Sequence, residues 1–157
     1  MSYDLMVFDP QIAPRERDAF MVWYKDTVTW SHEKDYSSPE GMSGNLQMFY
    51  DSLRQQFPAM NGPDRIDLDA PRPPKTLLQK VFGGGAPPPA DIDEATLTDY
   101  TCAPHAIYLC FAWSLAEKAY NQTFNTALSC GVGFFNVSAK NGEVLHDAGQ
   151  FYDFMGL

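Results

Sequence analysis

Three consecutive glycines, Gly83 to Gly85, raise the possibility of a phosphate site, because glycine-rich loops bind phosphate through backbone N–H groups at a helix N-terminus. A P-loop continues after its last glycine with Lys and then Ser or Thr. Here the sequence continues with Ala86, three prolines and the acidic stretch ADIDE. Proline has no N–H to donate, and acidic side chains repel phosphate. The segment therefore predicts a flexible joint, a stiff spacer and a loop that displays acids, and it argues against a nucleotide site.

Two residues could act as nucleophiles, but each has a structural interpretation. Ser114 stands three residues before Glu117 in FAWSLAEKAY, which is the spacing of a capping box at a helix start, and no GxSxG motif surrounds it. Cys130 precedes Gly131, which we expect to be the left-handed residue that ends this helix. A helix C-terminus does not lower the pKa of a thiol. We therefore predict no catalytic residue at either position.

The three histidines, His32, His105 and His146, do not form a metal-binding motif. HEKD at His32 lacks the second histidine of HExxH, and DRIDLD lacks the alternating acids, glycine and distal glutamate of a calcium loop. A metal site would require the histidines to converge with Cys102 or an acid, so we expect surface or hydrogen-bonded histidines instead. The sequence predicts no metal, no other cofactor and no enzymatic activity.

The charge balance favours a basic protein as partner. The chain has 20 acidic and 11 basic residues among 157, a net charge of -9, and no Lys or Arg occurs between Lys80 and Lys118. Nucleic acids and anionic membranes bind clustered Lys and Arg, so both are disfavoured. We predict an acidic patch that docks on a basic surface and speeds association, with cation binding or a merely solvated loop as alternatives. The candidate partner-binding residues are Asp64, Asp67, Asp69, Asp91, Asp93, Glu94 and Asp99.

Cysteine usage and the opening residues indicate the expected compartment. Cys102, Cys110 and Cys130 are an odd number without CxxC spacing, which predicts reduced and mostly buried thiols. The opening MSYDLMVFDP has no basic region typical of a signal peptide, and no apolar run approaches the length of a membrane helix. We expect a cytoplasmic protein.

The elements that must position these residues follow from the spacing of apolar side chains. In SYDLMVFD, Tyr3, Leu5 and Val7 would face one side of a strand, and Met6 and Phe8 the other. A strand with apolar residues on both faces is typical of the centre of a sheet. The first strand is therefore expected to be central.

The other elements complete an α+β pattern. We expect helices opening at Ala13-Pro14, over about 44–56 and over 115–129, and strands over 100–103, 106–112, 132–138 and 143–146. The last two strands flank Asn141-Gly142, the strongest short hairpin signal. The order β-α-α-loop-β-β-α-β-β predicts a mainly antiparallel sheet of four to five strands with about three helices packed largely on one face. Residues 1–157 would form a single domain, with a long loop rich in Pro, Gly and Asp at about 59–97.

One exposed tryptophan could anchor an interface with another protein. Trp23, Trp30 and Trp113 are the three candidates. Sequence alone favours core or edge-of-core positions for all three and does not distinguish among them.

Several stretches resemble a group of small proteins of Gram-negative bacteria that are associated with polymorphic toxin and type VI secretion loci. They are SYDLMVFDP, FMVWY, FPAMNGP and the block DYTCAPHAIYLCFAWSLAEKAY, continued by GVGFFNVS and NGEV. The resemblance covers most of the chain except residues 64–97, and its motifs are caps, turns and packed aromatics. It implies an immunity protein, a small cytosolic protein that binds and blocks a cognate toxin, and it carries no catalytic residues to this chain.

Two other functions compete with toxin neutralisation. A small enzyme, for example a hydrolase that reverses a toxin's modification, would need a pocket in which Cys102, His105 or His146 meets an acid. An adaptor or self-associating module would use an exposed sheet edge.

Overall fold

A computed structural model describes residues 1–69 and 92–147 of the chain. Gly83 to Gly85 and Asp91 lie outside the described residues. Over the described residues the chain folds as an antiparallel five-stranded sheet with three α-helices, which confirms the predicted α+β class. The strands are β1 Ser2–Phe8, β2 Asp99–Ala103, β3 Ala106–Ala112, β4 Gly133–Phe135 and β5 Val144–Leu145. The helices are α1 Arg17–Thr27, α2 Gly44–Leu53 and α3 Ala116–Cys130.

The sheet has the order β2-β3-β1-β4-β5, so β1 is central as predicted. Tyr3, Leu5 and Val7 belong to the apolar cluster on one face, and Met6 and Phe8 to the cluster on the other. The first face is covered by α2 and α3, and the second by α1 through Phe20 and its neighbours. Two of the three helices therefore share one face, and both sides of β1 are closed to solvent.

Two short 3-10 turns flank the β2–β3 hairpin. The Glu94 turn, Glu94–Thr96, leads into β2, and the Trp113 turn, Trp113–Leu115, joins β3 to α3. Because the Trp113 turn precedes α3 in the chain, the helix begins at Ala116, and no side chain caps its N-terminus. The predicted capping box at Ser114 is therefore wrong.

The ends of the helices depend on local hydrogen bonds. The expected start of α1 at Pro14 is also wrong, because the Glu16 side chain accepts the N–H groups of Asp18 and Ala19 and sets the start at Arg17. The C-terminus of α3 agrees with the sequence, since Gly131 follows it with φ 67°, in the left-handed region.

Both predicted hairpins are present. β2 and β3 pair across a tight connection at Pro104, and β4 and β5 pair through a longer loop in which Asn141 has φ 56°. The strands β4 and β5 are shorter than the sequence pattern indicates. Among the described helices, none has the length and apolar character needed to cross a membrane.

The contact between β4 and β1 gives a stability prediction. Gly133→Ala is expected to lower the free energy of unfolding by about 1–3 kcal/mol, because the added Cβ would overlap the fully buried ring of Phe8. Gly44→Ala is the matched control, since no atom lies within 4 Å of its added Cβ. Urea denaturation measures both variants, and equal losses of stability would contradict this packing.

Candidate functional site

The predicted partner-binding acids do not all remain available to a partner. Asp64 accepts a hydrogen bond from the Tyr50 hydroxyl at 3.1 Å and forms an ion pair with Arg54 at 3.6 Å. Its charge is therefore partly neutralised within the protein. Asp91 lies outside the described residues.

Asp67 and Asp69 are exposed on the irregular segment that follows α2. An Asp67 carboxylate oxygen accepts the backbone N–H of Asp69 at 3.0 Å, which orders this bend locally. Within the described part of the chain, neither carboxylate forms an ion pair with Lys, Arg or His. Both charges face solvent.

Asp93 and Glu94 are exposed at the start of the Glu94 turn. Asp93 accepts the backbone N–H of Ala95 at 3.0 Å, and its carbonyl accepts the hydroxyl of Thr96 at 2.6 Å. Thr98, which follows this turn, binds a distant part of the chain, because it donates its N–H to the carbonyl of Pro58 at 2.9 Å. The acidic turn is therefore ordered by its own hydrogen bonds and by the attachment of the residues that follow it.

Asp99 is half-buried and belongs to a polar row that the sequence analysis did not identify. In the strand register Asp99 lies opposite Cys110, and Cys110 lies opposite Asp4. The Tyr108 hydroxyl donates to Asp4 Oδ2 at 2.9 Å, and Tyr24 of α1 interacts with Tyr108. The available signal was Asp4 itself, an acid in an otherwise apolar central strand. Its partners depend on strand register and could not be inferred from local sequence.

This polar row does not supply an activated nucleophile. Burial, reinforced by the nearby Asp4 and Asp99 carboxylates, raises the pKa of Cys110 to about 12, so the thiol is protonated at neutral pH. Burial is also the main cause of the raised pKa of Tyr108. Asp4 Oδ1 is buried and has no hydrogen-bond partner among the described residues. In the same part of the chain, no three His, Cys, Asp or Glu side chains are grouped to hold a metal ion.

The residues named for an enzyme do not come together. Cys102 packs in the cluster under α2 and α3, and burial raises its pKa to about 12. His146 is buried on the opposite face, where it contacts the rings of Phe8 and Phe20 and donates to the carbonyl of Pro14 at 2.7 Å. His105 is exposed in the β2–β3 connection.

A cavity of about 230 Å³ lies beside β5, with Arg15, Arg17 and His146 in its lining. Both arginines are engaged within the protein, because Arg15 forms an ion pair with Asp147 at 3.3 Å and Arg17 donates to the carbonyl of Gly142 at 3.1 Å. The described lining of the cavity therefore consists of one buried histidine, two engaged arginines and apolar side chains.

The edge formed by β2 is closed by the chain itself. Asn61 donates to the carbonyl of Tyr100 at 2.9 Å and accepts its N–H at 3.0 Å, so one amide side chain replaces a neighbouring strand. The N–H of Cys102 bonds to the carbonyl of Tyr36 at 2.6 Å. An adaptor that binds by adding a strand would have to displace these bonds.

The tryptophans differ in exposure, which the sequence did not resolve. Trp23 and Trp30 are half-buried, whereas the Trp113 side chain is 51% exposed. Trp113 lies in the turn that contacts the Glu94 turn. An exposed aromatic ring and an exposed acidic segment therefore share one region of the surface.

The environment of Asp99 gives a pH-dependent prediction. Burial raises the pKa of Asp99, so the folded protein keeps this proton at pH values where the unfolded chain has lost it. The stability cost of ionisation is absent below the ordinary pKa of about 3.9 and grows as the pH rises towards the folded value. Asp99→Asn should therefore be more stable than the parent at neutral pH, and the difference should disappear near pH 3, a limit set by that ordinary pKa.

Urea denaturation over this pH range tests the prediction. Glu33→Gln, at an exposed position, is the charge-matched control. An equal gain in both variants would show that net charge, and not the burial of Asp99, is responsible.

Comparisons with models of protein families, with curated proteins and with solved structures give no match for this chain.

Proposed function

We propose that this protein is an immunity protein that binds a cognate bacterial toxin and neutralises it by covering its active site with an acidic surface. The observation that carries the proposal is the exposure of Asp67, Asp69, Asp93 and Glu94, none of which forms an ion pair within the described residues. Surface acids of a globular protein are often paired or interspersed with bases. Here Asp93 and Glu94 belong to a stretch, from residue 81 to residue 117, that contains no Lys or Arg.

An acidic surface of this kind is suited to a basic protein. Toxins that act on nucleic acids or nucleotides have basic sites, because their substrates are anionic. Complementary charge accelerates the encounter and favours the correct partner over neutral or acidic surfaces. The acidic protein would occupy the site by mimicking the charge of the substrate.

The resemblance to immunity proteins of toxin loci supports the same conclusion, and its motifs have structural roles. FPAMNGP contains Asn61, the residue that closes the β2 edge. GVGFFNVS contains Gly133, which lies against the Phe8 ring of SYDLMVFDP. These stretches build the scaffold on which the acids are displayed.

The two alternatives are less well supported by the geometry. Cys102 and His146 lie on opposite faces of the sheet, so these two residues cannot act together in one site. An adaptor that adds a strand at β2 would have to break the two Asn61 bonds to Tyr100.

Growth rescue tests the proposed function directly. The tagged chain is used to capture proteins from the source bacterium at low salt, and each captured protein is expressed alone and together with the chain. We expect one protein that stops growth alone and is harmless beside this chain, as a stable one-to-one complex. If every captured protein is non-toxic, or if co-expression fails to restore growth, toxin neutralisation is wrong.

Charge reversal tests the role of the acidic loop. Changing Asp91, Asp93 and Glu94 to Lys should slow association with the rescued toxin by roughly tenfold or more at low ionic strength, and by much less at high salt. The control changes Asp26, Glu33 and Glu40 to Lys, an equal change in charge at exposed positions elsewhere. Stopped-flow kinetics give the rates, and equal slowing in both triple variants would contradict a specific role for this loop.

A further inference from the structure

We propose that Trp113 is the anchor of the docking surface, and that it receives an arginine side chain of a basic partner protein, with Asp93 and Glu94 pairing with neighbouring cations of that partner. The identity of the partner rests on the proposed function. The location and chemistry of the surface rest on the contacts described next.

Trp113 is held on one side and open on the other. Its ring meets the buried Tyr3 ring edge to face, with 5.5 Å between centroids and 77° between planes. Tyr3 is itself fixed by its hydroxyl, which donates to Asn136 Oδ1 at 3.4 Å. The rest of the indole faces solvent, at 51% exposure. A ring that is already positioned loses little conformational freedom on binding, which is a property of interface hot spots.

The Glu94 turn supplies negative charge beside this ring. It contacts both β3 and the Trp113 turn, so Asp93 and Glu94 belong to the same surface as the indole. The Asp93 bond to the Ala95 N–H orders the turn before any partner arrives. Within the described part of the chain, no cation is paired with either acid.

A shallow depression of about 350 Å³ begins next to Trp113. Its lining comes from the Trp113 turn and the first turns of α3, and it includes Ser114, Glu117 and Lys118. The Lys118 ammonium group lies 5.6 Å from the centroid of the Phe57 ring. Among the described residues, Asp93, Glu94 and Glu117 outnumber Lys118, so this part of the surface is negative.

Arginine is the partner side chain that best fits an indole surrounded by carboxylates. Its planar guanidinium stacks on aromatic faces and forms charge-assisted hydrogen bonds to carboxylates at the same time. A second copy of this chain is a poor occupant, because each copy carries a net charge of -9 and would repel the other. Anionic lipid is disfavoured for the same reason.

A peptide probe tests the surface without any knowledge of the toxin. Octa-arginine is titrated into the ¹⁵N-labelled protein at low salt, and NMR signals are followed. We expect the largest shifts at the Trp113 indole N–H and at the backbone of Asp93 and Glu94. Trp113→Ala should weaken peptide binding two- to fivefold, the equivalent of one exposed cation–π contact. Shifts that cluster elsewhere and leave the Trp113 indole unchanged would overturn the inference.

Matched variants extend the test to the toxin that growth rescue identifies. Trp113→Ala should weaken that complex at least about 30-fold, as expected for a hot spot, whereas Met48→Ala should change affinity by less than about threefold. Met48 is a suitable control because it is 54% exposed on α2. Trp113→Phe, which retains a ring beside Tyr3, should lower the affinity by an intermediate amount. If the alanine variant does not fold, the affinity of the phenylalanine variant tests the anchor instead.

The toxin-neutralisation proposal and the Trp113 proposal can be rejected independently of each other. Equal affinity of the parent and both Trp113 variants for a toxin that the chain neutralises would reject the Trp113 anchor and leave toxin neutralisation intact. Octa-arginine binding centred on Trp113, without any toxin among the captured proteins, would support the docking surface and reject the immunity function.

Discussion

The fold depends on the burial of β1 on both of its faces. Every side chain from Leu5 to Phe8 is fully shielded from water, and successive side chains point to opposite sides of the sheet. One layer of helices could cover only half of this strand. The chain therefore places α2 and α3 on one face and α1 on the other, and it pairs β1 with β3 and β4 along its two edges. Glycine is favoured at position 133, where β4 passes the Phe8 ring, because an added Cβ would overlap that ring unless the packing shifted.

Because β1 is central, β2 lies at the edge of the sheet. The hydrogen bonds that close this edge also position the Glu94 turn, which precedes β2. Asn61 satisfies the backbone of Tyr100, while Pro58 and Met60 satisfy the two backbone groups of Thr98. These bonds prevent the edge from pairing with another strand. They also hold the residues directly before β2, which positions the Glu94 turn against the Trp113 turn.

Much of this architecture follows from local sequence, because its signals act over a few residues. The alternation in β1, the β2–β3 hairpin at Pro104 and the left-handed Gly131 all belong to this class. The start of α1 was missed because the Glu16 cap outweighs the preference of Pro14 for the first helical turn. The start of α3 was predicted to within one residue, but its capping box was not found because a 3-10 turn at Trp113 precedes the helix.

The candidate site was predictable only in part. The acids were identified from charge alone, but the pairing of Asp64 with Tyr50 and Arg54 depends on how α2 packs. The row formed by Asp4, Cys110 and Asp99 depends on strand register, which brings Asp4 beside residues that lie far away from it in the sequence. The exposure of Trp113 depends on tertiary packing in the same way, because its ring packs against Tyr3 of the distant strand β1 and is otherwise left partly open to solvent.

The exposed acids on which the proposed docking rests work against folding, and the structure limits that cost. Unpaired negative charges repel one another in the compact protein, and a half-buried carboxylate such as Asp99 loses hydration without gaining a cation. Placing Asp93 and Glu94 on an exposed turn keeps their hydration, so their cost in the free protein is small. The turn is nevertheless ordered by backbone bonds, so its conformational entropy is lost on folding and not on association. Rigid, hydrated acids beside a fixed aromatic ring thus combine a modest loss of stability with the kind of surface that the proposed docking on a basic protein would need.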